Sequence, residues 1–127
     1  NHYQCGDMLD LYKYPAWELY LYEAQRPTVL GEYGGIGLVL KDHLWEPNRN
    51  WGYVQFNSSK EATDEYVKYA EMLYNMVVKG FSGAVYTQTT DVEIEVNGLM
   101  TYDRKVVKLD EKRVREINQR ICNSLKK

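Results

Sequence analysis

The sequence has 127 residues, of which 44% are hydrophobic and 27% charged, and its formal net charge is -2. This composition fits one modest globular core and excludes a disordered, fibrous or membrane-spanning chain. The 16 basic residues are scattered apart from a short run near the C-terminus, so the electrostatic footprint of a nucleic-acid-binding protein is missing. We therefore expect one unit over residues 1–127, with neither nucleic acid nor membrane as a partner.

The two cysteines, Cys5 and Cys122, lie at opposite ends of the sequence without the spacing of a metal site. We expect both to be ordinary thiols, and we expect neither a metal nor a cofactor. The sequence starts at Asn1, and no basic segment leads into an apolar stretch, so any signal peptide would lie upstream or be absent. The residues themselves leave the compartment open.

The first predicted elements are a strand and a weak helix. Residues 7–12 alternate polar and apolar side chains before Tyr14 and Pro15, which is typical of a short strand followed by a loop. Residues 16–25 have a weaker helical pattern. A second strand is predicted for residues 28–33, an apolar and β-branched run.

The second strand ends at Gly34 and Gly35 and carries Glu32 at its C-terminal end. Residues 36–57 are rich in Gly, Asn and Trp and are predicted to be an irregular, functional loop. Three tryptophans and twelve tyrosines are a heavy aromatic load for this length. Such rings suit sugar platforms, but packing in the core and at interfaces is the commoner use.

A helix is predicted to begin after Ser58, because Ser58 and Glu61 have the spacing of a capping box. Its apolar side chains recur at intervals of three and four residues until Gly80 ends the helix. These side chains are Ala62, Tyr66, Tyr69, Leu73, Met76 and Val77.

A third strand is predicted for residues 81–87, followed by a polar loop to Arg104. A final helix begins near Asp110, with an apolar stripe of Val114, Ile117, Ile121 and Leu125. Strands that alternate with helices predict an α/β fold of parallel strands joined by right-handed crossovers. Parallel sheets often close into barrels of about 250 residues, so we expect the remainder of a parent chain upstream.

Glu32 is the first candidate for a catalytic residue. Active sites of α/β proteins gather at the C-terminal ends of the strands, where Glu32 is predicted to lie. A glutamate within an apolar run needs exposure or a partner, and the glycines beside it allow a ligand to approach. An ion-paired structural carboxylate is the alternative interpretation.

The run TVLGEYGGIG at residues 28–37 resembles the seventh barrel strand of glycoside hydrolase family 2, which includes β-galactosidases and β-glucuronidases. This resemblance implies that Glu32 is the catalytic nucleophile of a retaining glycosidase. It also implies that the fold is the C-terminal portion of a TIM (β/α)8 barrel, about strands 6 to 8 with their helices, incomplete on its own.

Two flanking motifs extend the resemblance to about residues 5–122. The run GDMLDLYKYP at residues 6–15 is similar to the sixth strand of the family, where Tyr14 falls on the tyrosine that hydrogen-bonds the nucleophile. Tyr12 replaces the usual histidine. Residues 80–104 resemble the eighth strand and its loop. Tyr86 lies at the position where many members have a tryptophan that forms the floor of the sugar site, and Gln88 lies close to it in the sequence. Tyr12, Tyr86 and Gln88 are therefore expected to contact substrate.

Other polar residues have two interpretations each. His43, close to Trp45 and Trp51 in the sequence, is either a cleft residue that binds substrate together with Trp45 or a locally packed histidine. The alternating carboxylates of residues 91, 93 and 95 suggest a cation site, but a solvated face is the more usual outcome.

The resemblance implies a fragment that contributes the nucleophile of an enzyme hydrolysing β-linked, galactose-like sugars. In this family the acid/base glutamate follows an asparagine, and no Asn-Glu pair occurs in the sequence, so the chain alone is expected to be inactive. A non-catalytic carbohydrate-binding or assembly module is the alternative. Open strand edges predict self-association of the isolated chain. The family suggests a periplasmic or secreted enzyme, with the cytoplasm as the alternative.

Overall fold

The structure is a computed structural model that describes residues 5–12 and 25–126. In chain order the elements are β1 (Leu9–Tyr12), β2 (Thr28–Gly34), β3 (Ile36–Leu38), a 3₁₀ helix (Lys41–His43), β4 (Val54–Phe56), α1 (Ser59–Val78), β5 (Phe81–Thr87) and α2 (Glu111–Asn123). The fold class is mixed α/β, as the sequence predicts. Within the described residues, no helix combines the length and the apolar character needed to cross a membrane.

The main sheet contains the three strands that the sequence predicts, in the order β1-β2-β5, and both pairs are parallel. The backbone of Tyr12 in β1 lies opposite Glu32 in β2, and Gly34 lies opposite Thr87 in β5. The C-terminal ends of all three strands therefore meet at one edge of the sheet. A second, smaller sheet pairs β3 with β4, also in parallel.

The core lies between the sheets and α1, and α2 packs against α1. Leu30 and Tyr33 of β2, Phe81 of β5 and Ile36 of β3 are buried there. Each large apolar side chain buried in this way contributes about 1.5–3 kcal/mol to folding. The apolar stripe of α1 supplies the facing surface: Ala62, Tyr66, Tyr69, Leu73 and Met76 are buried, and Val77 is half-buried.

The start of α1 confirms Ser58 as the N-cap, but the predicted capping box differs in the partner of the Glu61 side chain. The hydroxyl of Ser58 accepts a hydrogen bond from the backbone N–H of Glu61 at 3.2 Å. The Glu61 carboxylate accepts from the N–H of Asn57 at 3.0 Å, one residue before the cap. At the other end, Gly80 follows the helix with φ of 118°, which glycine adopts without steric cost.

The prediction of an irregular segment over residues 36–57 is wrong in part. Ile36–Leu38 and Val54–Phe56 form the parallel pair β3 and β4, and a 3₁₀ turn lies between them. Both strands have three residues, too few for an alternating pattern to be visible.

The predicted apolar stripe of α2 is confirmed at Ile117, which is buried, but wrong at Leu125, which is 68% exposed. The helix ends at Asn123, where the N–H of Ser124 bonds back to the carbonyl of Ile121 at 3.1 Å. Residues 13–24 of the predicted weak helix and its preceding loop lie outside the described residues. Cys5 and Cys122 are free and exposed.

Candidate active site

Glu32 lies near the C-terminal end of β2, the central strand of the main sheet. Its neighbour Tyr33 is buried in the core, where its ring contacts that of Tyr86, whereas Glu32 is only half-buried. The hydroxyl of Thr87, at the end of β5, donates a hydrogen bond to Glu32 Oε1 at 3.0 Å. A donor of this kind stabilises the ionised carboxylate.

The glycines near Glu32 leave room for groups of the neighbouring strands β1 and β5. A Cβ at Gly31 would overlap the carboxylate of Asp10, which reaches across from β1. A Cβ at Gly34 would overlap the carbonyl oxygen of Thr87, and the φ of Gly34 is 126°, a value that favours glycine. The backbones of β2 and β5 consequently approach closely where Thr87 meets Glu32.

Gln88 follows directly after β5, and its peptide bond to Thr87 is cis. The Gln88 side-chain amide donates to Glu95 Oε2 at 3.0 Å and to Asn97 Oδ1 at 2.5 Å. Asn97 is fully buried, and its backbone carbonyl accepts from the Gln88 N–H at 3.4 Å. These bonds place Gln88 in the network that folds the loop after β5, and its expected substrate contact stays a prediction.

Tyr86 packs in the core between β2 and α1. Its ring contacts the ring of Tyr33 edge-on at a centroid distance of 5.3 Å and the ring of Tyr66 in α1 at 5.1 Å. Because Thr87 is the next residue along the strand, its hydroxyl points toward Glu32 while Tyr86 packs toward the helix. The ring contacts of Tyr86 are core contacts, so its predicted role as the floor of the sugar site rests on the sequence resemblance alone.

His43 and Trp45 lie in the segment after β3, and both contact the loop that follows β5. His43 Nδ1 lies 2.9 Å from Asp103 Oδ2, and the Trp45 ring meets the Tyr102 ring edge-on at a centroid distance of 5.5 Å. The hydroxyl of Thr101 donates to Asp103 Oδ1 at 2.6 Å. This hydrogen bond, and secondly His43, hold the pKa of Asp103 well below its usual range.

The Trp45 side chain is 62% exposed, and His43 is half-buried. Both residues therefore have a packed contact and an accessible part, which fits either of the two interpretations from the sequence. Tyr14 lies outside the described residues, as does the side chain of Tyr12, so their predicted roles beside Glu32 remain predictions.

The loop after β5 contains a buried ion pair that the sequence pattern did not indicate. Asp91, expected on a solvated face with Glu93 and Glu95, is instead buried and paired with Lys108 at 2.7 Å. Burial raises the pKa of the Asp91 carboxyl and lowers that of the Lys108 amine. Among the residues that the structure describes, no group of three His, Cys, Asp or Glu side chains is placed to hold a metal ion.

Thr87 is the site residue that sequence reasoning missed. A threonine at the end of a strand has no pattern that marks it as functional. Only the register between β2 and β5 places its hydroxyl against Glu32. The parallel order of the two predicted strands was the one signal that could have identified it.

Comparison with protein-family models and with curated proteins gives no relative from which a function could be transferred. No protein-family model matches the chain, and no curated protein is significantly similar to it. The function must therefore be argued from the Glu32 site and from the sequence motifs around it.

Proposed function

We propose that this chain is the nucleophile-bearing part of a retaining glycoside hydrolase that cleaves β-linked, galactose-like sugars. One observation carries the proposal. Glu32 lies at the C-terminal edge of three parallel strands, where the hydroxyl of Thr87 on the neighbouring strand donates to its carboxylate at 3.0 Å. This edge is where α/β enzymes assemble their active sites.

In the proposed reaction, the Glu32 carboxylate attacks the anomeric carbon of the sugar and the bond to the leaving oxygen breaks. A second carboxylic acid gives its proton to that oxygen. The same group then removes a proton from water, which displaces Glu32 and releases the sugar with its original anomeric configuration. The two carboxyl groups must lie about 5–5.5 Å apart.

Thr87 has a positioning role in this scheme. Its hydroxyl fixes the orientation of one carboxylate oxygen and stabilises the negative charge that the nucleophile needs before the attack. Gly31 leaves room for the carboxylate of Asp10 in β1, and Gly34 allows the backbone of β5 to approach β2 at Thr87. Glu32 therefore has a defined orientation before substrate binds, which lowers the entropic cost of reaching the transition state.

The acid/base residue must come from another part of a longer protein, since the sequence has no Asn-Glu pair. The β1-β2-β5 sheet corresponds in this proposal to strands 6 to 8 of a (β/α)8 barrel. In the described residues, β1 and β5 are edge strands with open backbone groups, which in such a barrel pair with the remaining strands. The isolated chain is then expected to self-associate through these edges.

The proposal is tested by exchanging Glu32 for glutamine in the whole protein that carries this chain. Removal of the nucleophile lowers kcat for an aryl β-galactoside by roughly 10⁴-fold or more. Glu93→Gln is the matched control, because Glu93 is an exposed glutamate in the loop after β5. Equal activity of Glu32→Gln and wild type would contradict the proposal.

A non-catalytic carbohydrate-binding or assembly module is the second candidate. The observation that favours it is the absence of an Asn-Glu pair, which leaves this chain without its own acid/base group. This candidate predicts that the wild-type protein releases no product from aryl β-galactosides, β-glucosides or β-glucuronides. The enzyme proposal predicts that at least one of the three is hydrolysed.

A further inference from the structure

Two large aromatic side chains, Trp51 and Tyr53, are exposed next to each other just before β4. They are 43% and 47% exposed, and their ring centroids lie 4.6 Å apart at an angle of 59°. Aromatic pairs of this kind provide a broad contact area at a low cost in conformational entropy. The pair is therefore a candidate for ligand contact.

The backbone that carries these rings is held firmly. The N–H of Trp51 donates to the carbonyl of Ile94 at 2.7 Å, and its carbonyl accepts from the N–H of Val96 at 2.8 Å. On the other side, the N–H of Val54 donates to the carbonyl of Gly35 at 3.2 Å. The backbone that carries both rings is thus fixed before any ligand arrives, which favours binding.

The pair is continuous with the Glu32 site. A Cβ at Gly35 would lie 2.6 Å from Cδ2 of Tyr53, so the tyrosine ring packs directly on the glycine that follows β2. The N–H of Gly35 donates to the carbonyl of Thr87 at 2.9 Å, and the Thr87 hydroxyl donates to Glu32. A single contact path therefore joins Tyr53 to the proposed nucleophile.

Amide side chains accompany the rings. Gln55 Nε2 donates to Asn50 Oδ1 at 3.3 Å, and the Gln55 side chain is exposed beside Gly52 and Gly37. Aromatic faces with neutral amides suit a ligand that is apolar on its flat faces and hydroxylated at its rim. A neutral pyranose ring has this chemistry.

We propose that Trp51 and Tyr53 form a platform for the sugar ring on the leaving-group side of the bond to be cleaved. The inference rests on the proposed function for this placement, because the reacting sugar must occupy the position next to Glu32. Both rings lie in the segment between β3 and β4, and the Tyr53 ring packs on Gly35, the residue after β2, so the proposal places them beside the next sugar. The protein then prefers β-linked disaccharides to monosaccharides.

The test uses the whole protein in a Glu32→Gln background, which removes turnover but keeps the shape of the site. Isothermal titration calorimetry compares lactose, cellobiose and β-1,4-galactobiose with galactose and glucose. We expect at least one disaccharide to bind more tightly than its monosaccharide. Trp51→Ala or Tyr53→Ala is expected to lower this ratio of affinities roughly 3- to 10-fold. Trp51→Phe, which retains a ring, keeps most of it.

The control is Tyr74→Ala, which removes a partly exposed tyrosine from α1, where its ring stacks against Arg120. This variant is expected to leave the disaccharide preference unchanged. Equal affinity for disaccharides and monosaccharides, no binding of either, or an unchanged preference in Trp51→Ala and Tyr53→Ala would overturn the platform. Hydrolysis by the wild type is scored separately, so failure of the proposed function is distinguished from failure of the platform.

Discussion

Lys108 and Asp91 form an ion pair at 2.7 Å, and the Lys108 side chain is completely buried. The Lys108 ammonium also donates to the carbonyls of Leu38 at 3.0 Å and Val96 at 2.8 Å. An ammonium group has three donors, and here each has an acceptor. Lys108 therefore connects β3 to the loop that follows β5, the two segments that flank the proposed active-site edge.

Removing this lysine leaves the Asp91 carboxylate buried without its cation. Lys108→Met is expected to lower the free energy of unfolding by about 3–5 kcal/mol, measured by urea denaturation. The double variant Lys108→Met/Asp91→Asn removes both charges and is expected to recover part of this loss. A single variant at least as stable as the double variant would show that the pair has no such role.

Thr87 tests the hydrogen bond at the proposed nucleophile. Thr87→Val keeps the shape of the side chain but removes the donor to Glu32, so kcat is expected to fall roughly tenfold. Thr87→Ser keeps the hydroxyl and is expected to retain most of the activity. The unfolding midpoints of both variants are compared with that of the wild type. Equal kcat values for the valine and serine variants would exclude a positioning role for Thr87.

The sequence predicts the larger elements because each has several residues of consistent pattern. The stripe of α1, its N-cap Ser58, the start of α2 near Asp110, and the apolar strands β2 and β5 all lie where the pattern places them. The strands β3 and β4 were not predicted, because three residues give no readable alternation and their pairing is long-range. The Asp91–Lys108 pair was not predicted for the same reason, because 16 residues separate its partners in the sequence.

Three buried tyrosines predict a loss of stability in alkali. Burial raises the pKa of Tyr69 to about 12, and it raises the pKa values of Tyr33 and Tyr66 as well. In the unfolded chain a tyrosine ionises near pH 10. Between about pH 10 and pH 12 the unfolded state thus loses protons that the folded state retains, so stability falls as the pH rises.

The measurement is the free energy of unfolding in urea at several pH values from 8 to 11.5. Tyr69→Phe removes one titrating group and is expected to make the decline above about pH 10 shallower. Below that pH its contribution to the slope vanishes, because both states are protonated. An identical alkaline slope in Tyr69→Phe and wild type would contradict the role assigned to burial of this hydroxyl.

Of the candidate site, only the position of Glu32 at the end of its strand could be predicted from the sequence. Glu32 at the end of an apolar strand follows from local pattern, whereas its hydrogen bond from Thr87 depends on the register between two strands. The inward packing of Tyr86 against Tyr33 and Tyr66 also follows from register and from the helix that covers the sheet. Sequence spacing alone does not determine which face of a sheet a side chain occupies.

The most direct test of the central claim is covalent trapping of the nucleophile. The whole protein is incubated with 2-deoxy-2-fluoro-β-galactosyl fluoride, which accumulates the glycosyl-enzyme of a retaining glycosidase, and the labelled peptide is identified by mass spectrometry. Our account predicts a single fluorogalactosyl ester on Glu32, absent from Glu32→Gln. An adduct on another carboxylate, or none with the galacto, gluco and glucurono reagents, would contradict the account.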